Sequence, residues 1–331
     1  MRRAAKITLG ILFAPVGLVV LGLLAFGALR AAGVPDPDVG AERLEQPLPE
    51  TTRTTLESRT EDRAPIETPE TDDAIRVELD LVEGMFRVEP HDGEDIEVDA
   101  RYDRASYALE RDYGLDGEVP VFRLLFRSKV HWLRRIAQDG GIDDGDFGAN
   151  EITVYLPRGV PIDLRAKISR SETEFVLDGL TLTNLVTDMG MGQYTVECGE
   201  PNPVVMRNAV FDVGMGEATL RGLSNLRPRR IEVKGGMGEI EVDMGTSLRI
   251  DTELHASMRM GELRLELPDD ALLDIDSEFG ATLGEVDDRG VRNRRIEDPE
   301  RAHHFRVTGS VFMGALVVDQ FRARGAHDDL R

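Results

Sequence analysis

Met191-Gly192-Gln193-Tyr194-Thr195-Val196, Met215-Gly216-Glu217-Ala218-Thr219-Leu220 and Met237-Gly238-Glu239-Ile240-Glu241-Val242 repeat one motif, and that motif decides the fold. The series continues as Met260-Gly261-Glu262-Leu263-Arg264-Leu265, Leu283-Gly284-Glu285-Val286 and Met313-Gly314-Ala315-Leu316-Val317-Val318. Successive glycines stand 24, 22, 23, 23 and 30 residues apart. A near-constant period in the range of roughly 20–50 residues marks stacked units, each burying its apolar face against its neighbours.

Within each unit the apolar parity changes across the glycine. Ile231, Val233 and Gly235 set one register and Met237 falls in phase with them, whereas Gly238, Ile240 and Val242 carry the opposite one. Phe211, Val213 and Met215 against Gly216, Ala218 and Leu220 show the same slip. In a strand the side chains alternate, so a one-residue slip needs a bulge or corner, and glycine tolerates the dihedrals involved. Each repeat therefore reads as strand, glycine corner, strand and turn. Turns fall at Arg221-Gly222, Arg227-Pro228, Pro268-Asp269-Asp270 and Asp287-Asp288-Arg289-Gly290. Stacking such units gives an all-β solenoid with one strand per rung.

The parity argument places the methionines at an inner corner of the stack. The alternative is an exposed methionine stripe that grips a partner. Glu217, Glu239, Glu262 and Glu285 recur just after the glycine and form an acidic ladder. Like charges about 4.8 Å apart repel one another unless something compensates. A solvated face is the ordinary reading of such a ladder, and a surface for divalent cations or a basic partner is the sharper one.

Outside the repeat, Ile75-Val77-Leu79-Leu81 and Ile152-Val154-Leu156 alternate as strands with one buried face. Residues 103–148 read as an irregular insertion. Within it, 127–136 suits a short amphipathic helix or an edge strand and carries Trp132, and 139–148 suits an acidic loop. The loop spacing does not match an EF-hand. His303 and His304 are adjacent and would point to opposite faces of a strand, so they read as turn surface rather than a metal site. Cys198 is the single cysteine, which leaves no intramolecular disulfide and no cysteine cluster; in its alternating stretch it reads as a small buried apolar residue.

Arg2, Arg3 and Lys6 precede an apolar run from Ile7 to Leu29. As a helix those residues would span about 34 Å, enough for a hydrocarbon core of about 30 Å. The flanking charges keep residues 1–6 in the cytoplasm and send the rest across the membrane. The expected organisation is a transmembrane helix at 7–29, a disordered acidic linker rich in Pro and Thr at 30–73, the solenoid at 74–323 and a disordered tail at 324–331. A cleaved signal sequence is the alternative to the anchor.

Ile152-x-Val154-x-Leu156-Pro157-x-Gly159, followed by rungs that repeat glycine and alternating apolar residues, resembles the bacterial DUF4097 adhesin-like, or toast-rack, domains. It is also similar to the C-terminal domain of LiaF-type cell-wall stress proteins, which carry several membrane helices where this chain has one apolar run. The resemblance covers roughly residues 75–323. It implies a right-handed solenoid facing outward from a membrane, used for envelope sensing or interaction and without catalytic residues.

The net charge of −22 disfavours nucleic acid as a partner. The expected function is a non-enzymatic, membrane-anchored extracytoplasmic interaction module with Glu217, Glu239, Glu262 and Glu285 as its surface. Its partner would be an envelope protein or polysaccharide, and no cofactor or metal is expected. The alternative is a polysaccharide-active enzyme, a lyase or glycosidase, because β-helices host both. Such a site needs two close carboxylates and an aromatic platform, and aromatics make up only 5% of the chain.

Overall fold

A computed structural model describes residues 39–46, 74–129, 150–275, 280–287 and 302–320. In chain order the strands are β1 (Val39–Gln46), β2 (Ile75–His91), β3 (Ile96–Asp103), β4 (Tyr107–Asp116), β5 (Val119–Ser128), β6 (Glu151–Pro157) and β7 (Pro161–Val176). They continue as β8 (Thr181–Glu197), β9 (Met206–Arg221), β10 (Pro228–Asp243), β11 (Thr252–Leu267), β12 (Leu272–Ile275), β13 (Gly280–Asp287) and β14 (His304–Gln320). A single 3-10 turn, Leu223–Leu226, is the only helical element among the described residues. None of these is a helix long and apolar enough to cross a membrane, and the expected anchor at 7–29 lies outside the described residues.

Seven long strands pair in parallel in the order β2, β7, β8, β9, β10, β11, β14. Their length and their short connections force each one to bend. A straight strand of 16 residues would hold Pro161 and Val176 about 50 Å apart. Yet Thr181 pairs with Pro161, and the five residues from Val176 to Thr181 span at most about 18 Å. Each strand must therefore double back, and one bent strand makes one rung. Inside the bends, residues such as Val233 and Ile240 of β10, Phe211 and Leu220 of β9, and Leu254 and Leu263 of β11 form one continuous apolar core. Each such side chain contributes roughly 1.5–3 kcal/mol on burial.

Polar side chains tie the rungs together where the strands end. Asn202 is buried, and its amide donates to the Leu182 carbonyl at 2.8 Å and to the Leu226 carbonyl at 3.0 Å. Its own carbonyl accepts from Leu182 N at 3.1 Å and Val204 N at 3.4 Å. One rung earlier, the buried Asp163 of β7 accepts from Arg165 and Asn184, both at 2.9 Å, with Arg76 Nε 3.5 Å away. Arg76 also reaches Asp116 at 2.8 Å, which pins the β4–β5 hairpin to the stack.

Three expectations need correction. The first part of the supposed irregular insertion is ordered: β4 and β5 form an antiparallel hairpin, and β5 pairs in parallel with β2. Val121, Phe122, Leu124 and Phe126 are buried there, so the apolar core continues one strand beyond β2. Trp132 and the loop at 139–148 lie outside the described residues. Part of the supposed linker is also a strand, since β1 pairs antiparallel with β3 from Val39↔Asp103 to Gln46↔Ile96. Arg43 of β1 pairs with Glu97 of β3 and lies 3.7 Å from Asp99. The remaining linker residues and the tail at 324–331 lie outside the described residues.

The third correction concerns rung order. The last two motifs do not stack in sequence. β14 pairs with β11 on one side and with β12 and β13 on the other, so the rung formed last enters between two formed earlier. The longest glycine step, 284 to 314, is where the chain makes that return.

Candidate interaction surface

The corner of each rung carries three aligned columns. Gly192, Gly216, Gly238, Gly261, Gly314 and Gly284 stand in register from β8 to β13. One residue earlier, Met191, Met215, Met237, Met260, Met313 and Leu283 form the second column. One residue later, Gln193, Glu217, Glu239, Glu262, Ala315 and Glu285 form the third.

Glycine is required twice over. Gly238 has φ of 135°, a conformation that L side chains rarely adopt. A Cβ built there would also lie 1.8 Å from the carbonyl oxygen of Gly216 on the rung before it. The same overlap recurs up the column. Gly190, Gly214 and Gly236 supply a second row of close approaches, and the Gly-Met-Gly triplet is the sequence signal for it.

The methionines are on the outside, contrary to the inner corner expected from parity. Met191, Met215, Met237, Met260 and Met313 are each 40–44% exposed, and Leu283 is 56% exposed. The ladder of β10 skips Gly236, so the extra residue lies before Met237 and not at Gly238. By Met237 the register has already switched, and its side chain points away from Ile240 and Val242. Mild peroxide is therefore expected to oxidise Met85 and the five column methionines well before the buried Met189, Met206, Met244 and Met258. Peptide mass spectrometry reads this directly, and equal rates would return the column to the interior.

The acidic ladder is real but interrupted. Glu217, Glu239 and Glu262 are neighbours, whereas Ala315 separates Glu262 from Glu285 because β14 intervenes. Arg264 pairs with Glu262 at 2.7 Å. Glu217 and Glu239 make no ion pair among the described residues. The corner is thus an apolar stripe of six rungs, about 24 Å long at strand spacing, with carboxylates along one flank.

A model for the family described as the N-terminal domain of toast_rack, DUF2154, matches residues 54–221, slightly more than half of the chain. The chain belongs to the toast-rack family. The match spans β2 to β9, and the toast-rack ladder continues past it through the same corner glycines. Two solved structures are similar to the chain at 10% identity. One is a proposed cell adhesion protein from Clostridium sporogenes, with a TM-score of 0.39 over 85% of this chain and 100% of its own. The other is a proposed adhesin from Bacteroides fragilis, with a TM-score of 0.29 over 86% of this chain and 99% of its own. No curated protein matches the sequence.

A sugar-cleaving site needs a pair of close carboxylates beside an aromatic platform. A groove of about 530 Å³ beside Met85 is lined by Glu151, Glu172, Glu174 and Glu197. Its one aromatic, Phe86, is buried in the core, and Arg87 and Arg221 face Glu174 and Glu197 at 3.2 and 3.3 Å. Cys198 is buried, and that burial pushes its thiol far above the usual range. His303 lies 3.4 Å from Asp251, and His304 is exposed at the start of β14.

Proposed function

We propose that this toast-rack domain is a non-enzymatic docking module, held outside the cytoplasmic membrane by residues 7–29, and that it binds its partner along the methionine–glutamate corner. The observation that carries the reading is the exposed, in-register methionine column with carboxylates on its flank. A contiguous apolar stripe on a surface otherwise rich in charge marks an interaction site. Methionine suits such a site because its flexible, polarizable side chain adapts to a partner's contour. The carboxylate flank selects the partner by charge: a protein segment with an apolar ridge and Lys or Arg beside it. Right-handed winding of the stack fits this reading, since parallel crossovers of this kind almost always take that hand.

The test uses the full-length chain in its membrane with a photo-crosslinking residue in place of Glu241, on the same face of β10 as Met237 and Glu239. Crosslinks to a discrete partner are expected, and they should weaken strongly in the Glu217→Gln, Glu239→Gln, Glu262→Gln, Glu285→Gln variant and at high salt. The same partners at the same yield from both chains would overturn the charge-selected docking surface.

A further inference from the structure

The repeats permit a comparison that separates packing from chemistry. Two positions past the corner glycine, the buried column reads Tyr194, Ala218, Ile240, Leu263 and Leu316 from β8 to β14. Four positions before the methionine, the rungs offer Thr187, Phe211, Val233, Ala256 and Gly309. Apolar packing thus accepts widely different side chains in this stack. The column before the glycine is different: five adjacent rungs all carry methionine, and the side chains are exposed rather than fitted to a core. A stripe that needed only to be greasy would tolerate Leu, Ile or Val there, as it does at Leu283.

What methionine has and leucine lacks is a thioether. Neutral sulfur ligands select soft cations such as Cu(I) over Zn, Ca or Mg. We propose that Met191, Met215, Met237, Met260 and Met313 form a row of Cu(I) positions, each ion held by the sulfurs of two or three adjacent rungs. The spacing suits it. Metal–sulfur bonds of about 2.3 Å put sulfurs around one trigonal ion about 4 Å apart. Neighbouring strands lie about 4.8 Å apart, and the three rotatable bonds of methionine close that difference. The ends of the row are defined: Arg170 pairs with Met191 on the β7 side, and Leu283 pairs with Met313 on the β13 side. The carboxylates of Glu217 and Glu239, two residues on along the same face, supply the negative field that offsets the cation's charge. Binding needs no change of oxidation state, since the ion enters and leaves as Cu(I).

The proposal uses the same column as the docking reading, yet the two can be tested apart. Met→Leu substitution keeps the apolar contour and removes the ligand. Under anaerobic conditions the full chain is expected to withdraw Cu(I) from a chromophoric chelator, with only sulfur in the metal's first shell by X-ray absorption. The Met215→Leu, Met237→Leu, Met260→Leu variant should lose at least about 100-fold in affinity while keeping its circular dichroism and its partner crosslinks. As a check that needs no variant, Ag(I) should protect the column methionines, and not Met85, from peroxide. Failure of the wild-type chain to compete, equal affinity in the triple variant, or a shell of nitrogen and oxygen would each overturn the proposal. Loss of the partner crosslinks alone would count against docking and leave the metal site standing.

Discussion

Replacing Gly238 by alanine is expected to cost the domain about 4 kcal/mol or more. Two penalties combine. A residue with a Cβ is strained at φ of 135°, at roughly 1–3 kcal/mol. The methyl would also sit 1.8 Å from the Gly216 oxygen and 2.8 Å from its carbon, and both are backbone atoms locked in the ladder. Relief requires the β9–β10 spacing to open at the corner, which lengthens hydrogen bonds on both sides of it. A close-packed stack has little slack for that. Gly114 is the control: it lies in β4, has no positive φ, and a Cβ there meets nothing within 4 Å. Urea denaturation of the full chain should separate the two variants widely. If Gly238→Ala matched Gly114→Ala in stability, the corner geometry would be wrong.

Asn202→Ala is expected to lose about 3 kcal/mol, with a range of roughly 2–5. Removing the amide deletes four hydrogen bonds and leaves the Leu182 and Leu226 carbonyls without that donor in a buried site. An orphaned buried polar group costs about 1–3 kcal/mol, and here more than one is orphaned at once. Water can refill part of the space, which keeps the loss below the plain sum. The exposed Asn208 serves as comparison, since its alanine variant should stay within about 0.5 kcal/mol of the wild type. Thermal or urea unfolding reads the difference, and equal midpoints would remove Asn202 from the list of rung-to-rung ties.

The strand-corner-strand unit was legible because two independent signals coincide at the same glycines, the period and the parity slip. The direction of the methionines was not, because parity shows that a slip occurs but not at which residue. Placing it at Gly238 puts Met237 inside, whereas the extra residue at Gly236 puts it outside. The order of the last rungs was hidden for a different reason. Motif spacing records position along the chain, while β14 finds its partners 53 residues away across Thr252↔Phe305. The hairpin of β4 and β5 was missed because its outer strand is mostly polar and exposed, so only Val121, Phe122, Leu124 and Phe126 on the inner strand advertise it. Asn202 was invisible as well, since a lone asparagine beside prolines reads as an ordinary turn until the carbonyls around it are known. In the candidate surface, the glutamates stood out in the sequence as a charge pattern, but their separation into three neighbours and an outlier depends on the rung order.

That rung order also bears on how such a protein can change in length. A ladder whose newest strand always joins the free end can be extended by duplicating its final unit, and each copy offers a fresh edge for the next. Here the final strand backs into a gap between earlier ones, so the free end belongs to the older pair, β12 and β13. A duplicated β14 would find the place beside β11 already filled. A new corner would therefore have to be added at the β12–β13 edge, and a methionine there would be cut off from the row by Leu283.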